Sequence, residues 1–201
     1  MSVLVYTENW EGKFKKLSYE LVSYAKNVAA LAGGDVTALS IGSVDQDELS
    51  SLGNYGASLV LSADVATSGL DNQVYTSIIA AAMEKCGAKI LVLAHNNTGK
   101  ALAPRLSVRL KAGLAAAVTA VPESADPLVV RKKVFSGKAF GQVEILTLET
   151  LSPMTSILVQ IPLPQWYQII KQQHTMIPVI LIVLPRTIGT SLLGIIKASA
   201  P

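Results

Sequence analysis

Short apolar runs alternate with longer segments of helical spacing along much of the chain. The runs are continuously apolar and fall at residues 3–7, 36–41, 58–61, 89–94 and 115–121. Continuous apolar runs of strand length indicate strands that are buried on both faces, as in a parallel sheet covered by helices. The pattern therefore predicts an α/β fold with a parallel sheet of about five strands.

The segments between these runs predict three long helices and one short helix. The first helix repeats apolar residues at three- and four-residue intervals until Gly33 ends the pattern. Its apolar positions are Phe14, Leu17, Leu21, Val28 and Leu31. Asp71 or Asn72 is suited to cap a second helix that continues to Gly87, and a short helix is predicted over residues 47–52.

The third long helix carries a proline that limits where it can begin. Its buried face is marked by leucines four residues apart, namely Leu102, Leu106 and Leu110. Pro104 lacks the backbone donor that an interior helical position needs, so the helix is predicted to begin near Lys100 or Ala101. Residues 96–99 then form a loop at the carboxyl end of the fourth strand. With a strand order of 3-2-1-4-5, this loop faces residues 7–12 across the crevice where the strand order reverses.

The pattern changes after Pro127. Two alternating runs flank residues 136–138 and predict an antiparallel β-hairpin, with Leu128 and Val130 packed inward while Arg131 and Lys133 point outward. From Leu148 the sequence predicts no coherent order of elements and an irregular tail. The charged residues of this tail are Glu149, Lys171, Arg186 and Lys197.

The run at residues 177–196 is long enough to cross a bilayer, but it contains prolines and a central Arg186. A membrane crossing is therefore not favoured. Its apolar core is an aggregation hazard unless the fold buries it.

Composition and charge narrow the function classes. Hydrophobic residues make up 50% of the chain and charged residues 15%, and the net charge is +3. Cys86 is the single cysteine, which excludes an internal disulfide and a cysteine-based zinc site and favours a bacterial cytoplasm. We interpret Cys86 as a small hydrophobic residue near a helix end. No metal site is predicted.

Three candidate sites have a simpler structural explanation. The sequence around Lys100 departs from a phosphate-binding loop because the first glycine of that motif is absent and Ala101 follows the lysine. A bound nucleotide stays open as the less favoured alternative to packing or partner contact. His95 and Glu8 at opposing strand ends lack a placed nucleophile, so no catalytic residue is predicted. The basic cluster Arg131, Lys132, Lys133 and Lys138 lacks the stacking aromatics of nucleic-acid binders, and we expect a solvated or partner-facing edge.

Two sequence segments resemble the amino-terminal domain of the electron transfer flavoprotein alpha subunit. That family has a T-x-x-G-K/R loop followed by an A-P-R-L-A-like helix, and later an R-x-x-x-G-G-K-A-like hairpin. The matching positions are Thr98, Gly99, Lys100, Ala103, Pro104, Arg105 and Leu106, then Arg131, Gly137, Lys138 and Ala139. The opening strand and first helix also fit. The resemblance covers residues 1–147.

The resemblance implies an adenine-nucleotide α-hydrolase-like fold and a heterodimer with a beta subunit. The complex would take electrons from dehydrogenases, such as those acting on acyl-CoA in fatty acid oxidation, and pass them to a membrane quinone oxidoreductase. It implies an electron carrier subunit rather than an enzyme. In the family, FAD lies mainly in the carboxyl-terminal domain, and the adenine nucleotide belongs to the beta subunit. The resemblance therefore assigns neither ligand to residues of this chain.

The chain departs from the family after residue 147. No flavin-domain signature follows, and we divide the chain into residues 1–147 and an atypical tail at 148–201. We hypothesise that the tail comes from a shifted reading frame or a truncated gene, or is disordered. This chain alone is then expected to hold no cofactor.

The predicted partner or rim residues lie in and after the 96–99 loop: Asn96, Asn97, Thr98, Gly99, Arg105 and Arg109. Two alternatives stay open. One is a stand-alone nucleotide-binding protein with a universal-stress-protein-like fold, and the weaker one is a small hydrolase of related architecture.

Overall fold

A computed structural model describes residues 1–65, 71–145, 179–183 and 197–199. Residues 197–199 are described by their backbone alone. The helices are α1 (Lys16–Ala32), α2 (Gln46–Ser51), α3 (Asn72–Cys86) and α4 (Asn97–Leu110), with short 3-10 turns at Leu52–Tyr55 and Phe135–Gly137. The strands of the main sheet are β1 (Val3–Tyr6), β4 (Val36–Ile41), β5 (Leu59–Ala63), β6 (Ile90–Ala94), β7 (Gly113–Val118), β8 (Ser124–Ala125), β9 (Leu128–Val134), β10 (Ala139–Ile145), β11 (Val179–Val183) and β12 (Lys197–Ser199). A separate small hairpin joins β2 (Asn9–Trp10) to β3 (Lys13–Phe14).

The main sheet has a parallel half and an antiparallel half. Its order is β10-β9-β7-β11-β6-β1-β4-β5-β12, with β8 beside β9. Strands β5, β4, β1 and β6 run parallel, which confirms the mixed α/β class and the predicted neighbours of the first four strands. Strands β9 and β10 form the predicted antiparallel hairpin.

The sheet departs from the predicted order at β11. This strand lies antiparallel between β6 and β7, so the fifth predicted strand does not pair with the fourth. All five residues of Val179–Val183 are buried, and their side chains alternate between the two cores. The expectation of an irregular tail is therefore wrong for this segment, because an apolar run that fits burial on both faces fills a position inside the sheet. Residues 197–199 of the tail also join the sheet, as β12 antiparallel to β5. The other tail residues lie outside the described ranges, and the division at residue 147 stays a prediction.

Two hydrophobic cores lie on opposite faces of the sheet. One core packs α1 against β1, β4 and β6, and the other packs α3 and α4 against the same strands. Leu21 and Val28 of α1 are buried as predicted, but Leu31 is 49% exposed and lies outside the stripe. Gly33 ends α1 in the left-handed region, with φ 63°.

The ends of α3 agree with the capping prediction. The Asp71 side chain accepts hydrogen bonds from the backbone N–H groups of Gln73 and Val74, at 2.8 and 3.2 Å. Gly87 ends α3 at φ 62°, again in the left-handed region. Cys86 is the last residue of the helix and is partly buried, and burial raises the pKa of its thiol. This placement agrees with a small packing residue.

Candidate functional site

The carboxyl ends of β1 and β6 form a rim at the point where the strand order reverses. The two strands are adjacent and parallel. Thr7 and Glu8 follow β1, while His95 and Asn96 follow β6 and lead into α4. Ligands of open α/β sheets bind outside such strand ends, so this rim is the first place to look for a site.

The Asn96 side chain joins the two sides of the rim. Its Oδ1 accepts a hydrogen bond from the Gly99 backbone N–H at 2.9 Å, and its Nδ2 donates to Glu8 Oε1, also at 2.9 Å. The Ser18 hydroxyl at the start of α1 donates to the Glu8 backbone carbonyl at 2.8 Å. The prediction that residues 7–12 and 95–100 face each other is confirmed, and the two loops are hydrogen-bonded directly.

Helix α4 begins earlier than predicted. Asn96 is its N-cap, so residues 97–99 form its first turn rather than a loop, and Pro104 lies inside the helix. The predicted start near Lys100 was wrong because the side-chain cap, rather than the proline, fixes the first turn. Because Pro104 has no backbone N–H, the carbonyl of Lys100 lacks its helical hydrogen-bond donor. Both residues are exposed, so water can donate the missing hydrogen bond.

Gly99 brings the first turn of α4 close to the end of β6. A Cβ atom at this position would collide with the carbonyl oxygen of Ala94, and Gly99 itself is buried. The glycine is thus required by close packing of helix on strand. The sequence singled out Gly99 through its resemblance to a motif, and the structure supplies this packing reason.

The loop after β1 is held by side chains that sequence reasoning missed. Thr7 Oγ1 donates to the Leu39 carbonyl at 3.0 Å, and Asn9 Nδ2 donates to the Ile41 carbonyl at 2.7 Å. The sequence does carry a signal for these residues, because both are polar and follow closely after a buried strand. Which strand end their side chains reach depends on the strand order of the sheet, which the sequence alone does not give. These bonds tie the loop to the end of β4.

His95 and Glu8 do not form the hydrolytic pair that was considered. Glu8 bonds to Asn96, and no hydrogen bond among the described residues joins it to His95. Burial lowers the pKa of His95, and the positive charges of Lys100 and Lys132 lower it further. His95 is therefore neutral near pH 7. The described part of the chain also contains no group of three or more His, Cys, Asp or Glu residues that could hold a metal.

The other predicted rim residues follow along the exposed side of α4. Asn97 and Arg105 are exposed, and Thr98 is partly buried. Arg109 donates from Nη1 to the Ser77 hydroxyl at 3.0 Å and so links α4 to α3. Arg105 makes no hydrogen bond or ion pair within the described ranges. The structure brings Asn96 and Gly99 together at the rim, while the two arginines lie farther along the helix.

Comparison with known proteins gives the chain a family. Residues 3–151 match the family described as "Electron transfer flavoprotein domain". The chain belongs to this family. Its matched part corresponds to the amino-terminal domain of electron transfer flavoprotein alpha subunits.

Three relatives illustrate the relationship. The chain is 27% identical over 144 residues to the electron transfer flavoprotein subunit alpha of Bacillus subtilis strain 168, covering 70% of this chain and 43% of that subunit. It is 32% identical over 145 residues to protein FixB of Clostridium saccharobutylicum, covering 70% and 43%.

The third relative is the LctC subunit of a lactate dehydrogenase (NAD(+),ferredoxin) from Acetobacterium woodii, 28% identical over 144 residues, covering 70% of this chain and 34% of LctC. The chain thus spans less than half the length of these relatives.

The electron transfer flavoprotein family is one of electron transfer proteins that bind flavin in the intact complex. The rim of this chain does not fit a flavin dinucleotide. The Gly99 N–H, which an anion-binding helix start would offer, is already bonded to Asn96, and the Glu8 carboxylate next to it would repel a pyrophosphate.

No helix in the described part combines the length and the apolar character needed to cross a membrane.

Proposed function

We propose that this chain is the amino-terminal scaffold of an electron transfer flavoprotein alpha-type subunit. It would pair with a beta subunit in a complex that carries electrons from dehydrogenases, such as acyl-CoA dehydrogenases, to a quinone oxidoreductase. The observation that carries the proposal is the match of residues 3–151 to the family domain. Its place of action would be the bacterial cytoplasm.

The closed rim supports a protein partner over a small ligand. The Asn96 side chain is hydrogen-bonded to both Glu8 and Gly99, so a nucleotide bound at the rim would have to break these hydrogen bonds. The outer side of α4, in contrast, presents Arg105 and Val108, which is 80% exposed. An exposed apolar side chain beside an arginine that has no ion pair among the described residues is typical of protein interfaces.

The redox chemistry of such a complex belongs to its flavin, which supplies the electron transfer when bound. We propose that this chain alone binds no flavin and catalyses no reaction. Its own residues would hold the domain rigid and orient the partner surface. Residues 96–99, Arg105 and Arg109 are the proposed partner or rim residues.

Co-expression with an electron transfer flavoprotein beta subunit tests the pairing. We expect a 1:1 complex on size-exclusion chromatography with light scattering. Arg105→Ala should weaken it by about tenfold with an unchanged melting temperature, because the side chain is exposed. Lys26→Ala, an exposed change on α1 across the sheet, serves as the matched control and should leave the affinity unchanged. Equal affinities for Arg105→Ala and Lys26→Ala would contradict the assignment.

Titration with ATP, AMP and FAD separates this proposal from a stand-alone nucleotide binder. We expect no shift of the melting temperature with any of the three. A saturable shift with ATP or AMP would favour the nucleotide-binding alternative, and stoichiometric flavin absorbance in the purified chain would contradict the proposed absence of a cofactor.

A further inference from the structure

Charge is divided unequally along the chain. Residues 1–84 contain four Lys or Arg and ten Asp or Glu, a net charge of −6. Residues 85–145 contain ten Lys or Arg and three Asp or Glu, a net charge of +7. No Asp or Glu occurs between Glu84 and Glu123. We call residues 1–84 the acidic half and residues 85–145 the basic half.

The fold separates the two halves in space. The basic half supplies β6, β7, β9, β10 and α4, and the acidic half supplies β1, β4, β5 and the helices α1 to α3. In the sheet order the β9–β10 hairpin lies toward one end, and β4 and β5 lie toward the other. Neighbouring strands are about 4.8 Å apart, so β5 and β10 are roughly 30 Å apart. This separation is about three Debye lengths at physiological salt, so each end presents its own charge to a partner.

The residues outside the described ranges do not reverse the sign of the basic half. Their charged residues are Glu149, Lys171 and Arg186. They therefore add at most one carboxylate side chain to any surface, against a net charge of +7 in the basic half.

The outer side of α4 has an apolar line along its middle. Ala101, Pro104 and Val108 follow one another at three- and four-residue spacing, so they lie along the same side of the helix. Ala101 is partly buried, Pro104 is exposed, and Val108 is 80% exposed. An apolar line of this kind gains free energy when a partner covers it.

Four exposed cations border this line. Lys100 lies on one side, Arg105 and Arg109 lie on the other, and Lys111 follows the last turn. Arg109 donates to the Ser77 hydroxyl, and none of the four forms an ion pair with a carboxylate in the described ranges. We call the apolar line and these four cations the basic surface.

The carboxylates of neighbouring elements are few. Glu8 at the rim accepts a hydrogen bond from Asn96, and Glu123 accepts one from Gln142 at 2.7 Å. Glu84 is exposed in the last turn of α3, next to Lys85. The basic surface is therefore complementary to a face with an apolar centre and carboxylates around it.

We propose that the partner face that meets the basic surface is acidic, and that opposite charge steers this chain onto it with α4 foremost. The inference rests on the proposed function, in which the partner is a beta-type subunit. A nucleic acid fits less well, because the basic surface presents no aromatic ring for base stacking.

A second copy of this chain is the other occupant to consider, because its acidic half carries the complementary charge. Such a contact joins the basic half of one copy to the acidic half of the next and leaves one half of each kind free. Unless it closes into a ring, the assembly then grows with concentration, whereas a beta-type subunit gives a closed pair.

The salt dependence of association tests the steering. Stopped-flow mixing of the full chain with a beta subunit gives the association and dissociation rate constants separately. We expect the association rate constant to fall by about tenfold between about 50 and 500 mM NaCl, with a much smaller change in the dissociation rate constant. A complex whose association rate does not depend on salt would overturn the inference and leave the pairing intact. Absence of a complex at every salt concentration would refute the pairing itself, and the inference with it.

Charge reversal tests the position of the surface. Lys100→Glu combined with Arg105→Glu should lower the association rate constant by about tenfold at low salt, and the milder pair Lys100→Gln with Arg105→Gln by about threefold. The matched control is Lys13→Glu combined with Lys26→Glu, which changes the net charge as much as the first pair does, at exposed positions of the acidic half. This control should lower the rate by less than about twofold. Similar losses in the control and the α4 variants, each with the circular dichroism spectrum of the unmodified chain, would show that net charge alone acts and would overturn the assignment.

Charged paramagnetic probes test the separation of charge in the free chain. We expect an anionic gadolinium chelate to broaden the amide NMR signals of residues 97–111 more than a neutral chelate does, and those of residues 46–51 less. The same broadening by both chelates would contradict the proposed steering.

Sedimentation of the chain alone tests the competing occupants. We expect one species at all concentrations, both at low salt and at high salt. A mass that increases with concentration at low salt would identify a second copy as the occupant and overturn the proposal. Binding of poly-dT as tight as that of the beta subunit would do the same in favour of a nucleic acid.

Discussion

The two halves of the sheet differ in how completely other elements cover them. In the parallel half, α1 covers one face and α3 and α4 cover the other, and the side chains of Val3, Leu4 and Val5 are 0% exposed. In the hairpin, one face joins the α1 core, and no described helix packs extensively on the other. The carboxyl rim of the parallel half is closed by its own hydrogen bonds, whereas the outer edge of β10 has no strand partner within the described ranges. The rim where open α/β sheets usually bind a ligand is therefore taken up by contacts within the chain itself.

The position of β11 is the feature on which this comparison depends most, because β11 joins the two halves. Leu181→Ala should destabilise the fold by about 3 kcal/mol, since the side chain is 0% exposed and its removal leaves a cavity. The measurement is urea unfolding followed by circular dichroism. Leu114→Ala is the control, because Leu114 is on the neighbouring strand and 39% exposed, and it should cost under about 1 kcal/mol. Equal effects of the two changes would show that β11 does not occupy this buried position in the sheet.

Gly99→Ala tests whether α4 packs closely on β6 at the closed rim. The added methyl group would meet the Ala94 carbonyl, so the first turn of α4 must move, and we expect a loss of about 2 kcal/mol. Ala101→Gly, two residues along the same helix, is a control for helix propensity alone and should cost about 1 kcal/mol. If Gly99→Ala were as stable as the unmodified chain, the close packing of α4 on β6 would be disproved.

Asn96→Ala should have a smaller effect, about 1 kcal/mol, because it removes the cap of α4 and the bond to Glu8 together. Asn97→Ala changes an exposed amide next to it and should be nearly neutral. Thermal unfolding of the two variants measures the difference. A double variant with Glu8→Gln should lose less than the sum of the single losses, because the two side chains bond to each other. Full additivity would argue against the bond.

The smallest expected effect concerns the pH dependence of stability. The pKa of His95 is lowered in the folded chain by burial and by Lys100 and Lys132, so the unfolded chain binds a proton more readily. Stability is then lost as the pH falls below about 6.5, the ordinary histidine value. His95→Gln should make the melting temperature fall less between pH 7.5 and 5.5. An unchanged pH dependence would contradict the shift.

Lys132→Gln tests the same coupling from the hairpin side. Removing this charge should raise the pKa of His95 toward its ordinary value, measured from the imidazole proton in an NMR titration. Lys138→Gln in the hairpin turn is the control and should leave it unchanged. If Lys132→Gln had no effect, Lys132 would not lie close enough to His95 to lower its pKa.

The parallel half could be predicted from the sequence because its signals are local. Continuous apolar runs marked the strands, and Asp71, Gly33 and Gly87 marked helix ends through their own side chains or backbone freedom. The start of α4 was misplaced because Pro104 was assigned to the first turn and Asn96 was not recognised as the helix cap.

The insertion of β11 and the bonds at the rim could not be predicted in the same way. The partners of β11 are far away in the sequence, and its short apolar run is equally consistent with several positions. The bond between Glu8 and Asn96 spans 88 residues and follows only from the sheet order. The resemblance to a family suggested which residues mattered, but the physical role of Gly99 depends on how closely α4 packs on the end of β6.

Amide hydrogen exchange of the full chain, with and without a beta subunit and with FAD alone, would show whether this chain docks a protein or holds a cofactor. We expect slower exchange in peptides covering residues 96–111 when the beta subunit is added, and no change in them with FAD. Slower exchange of residues 95–100 with FAD alone, without any effect of the beta subunit, would contradict the proposed scaffold role.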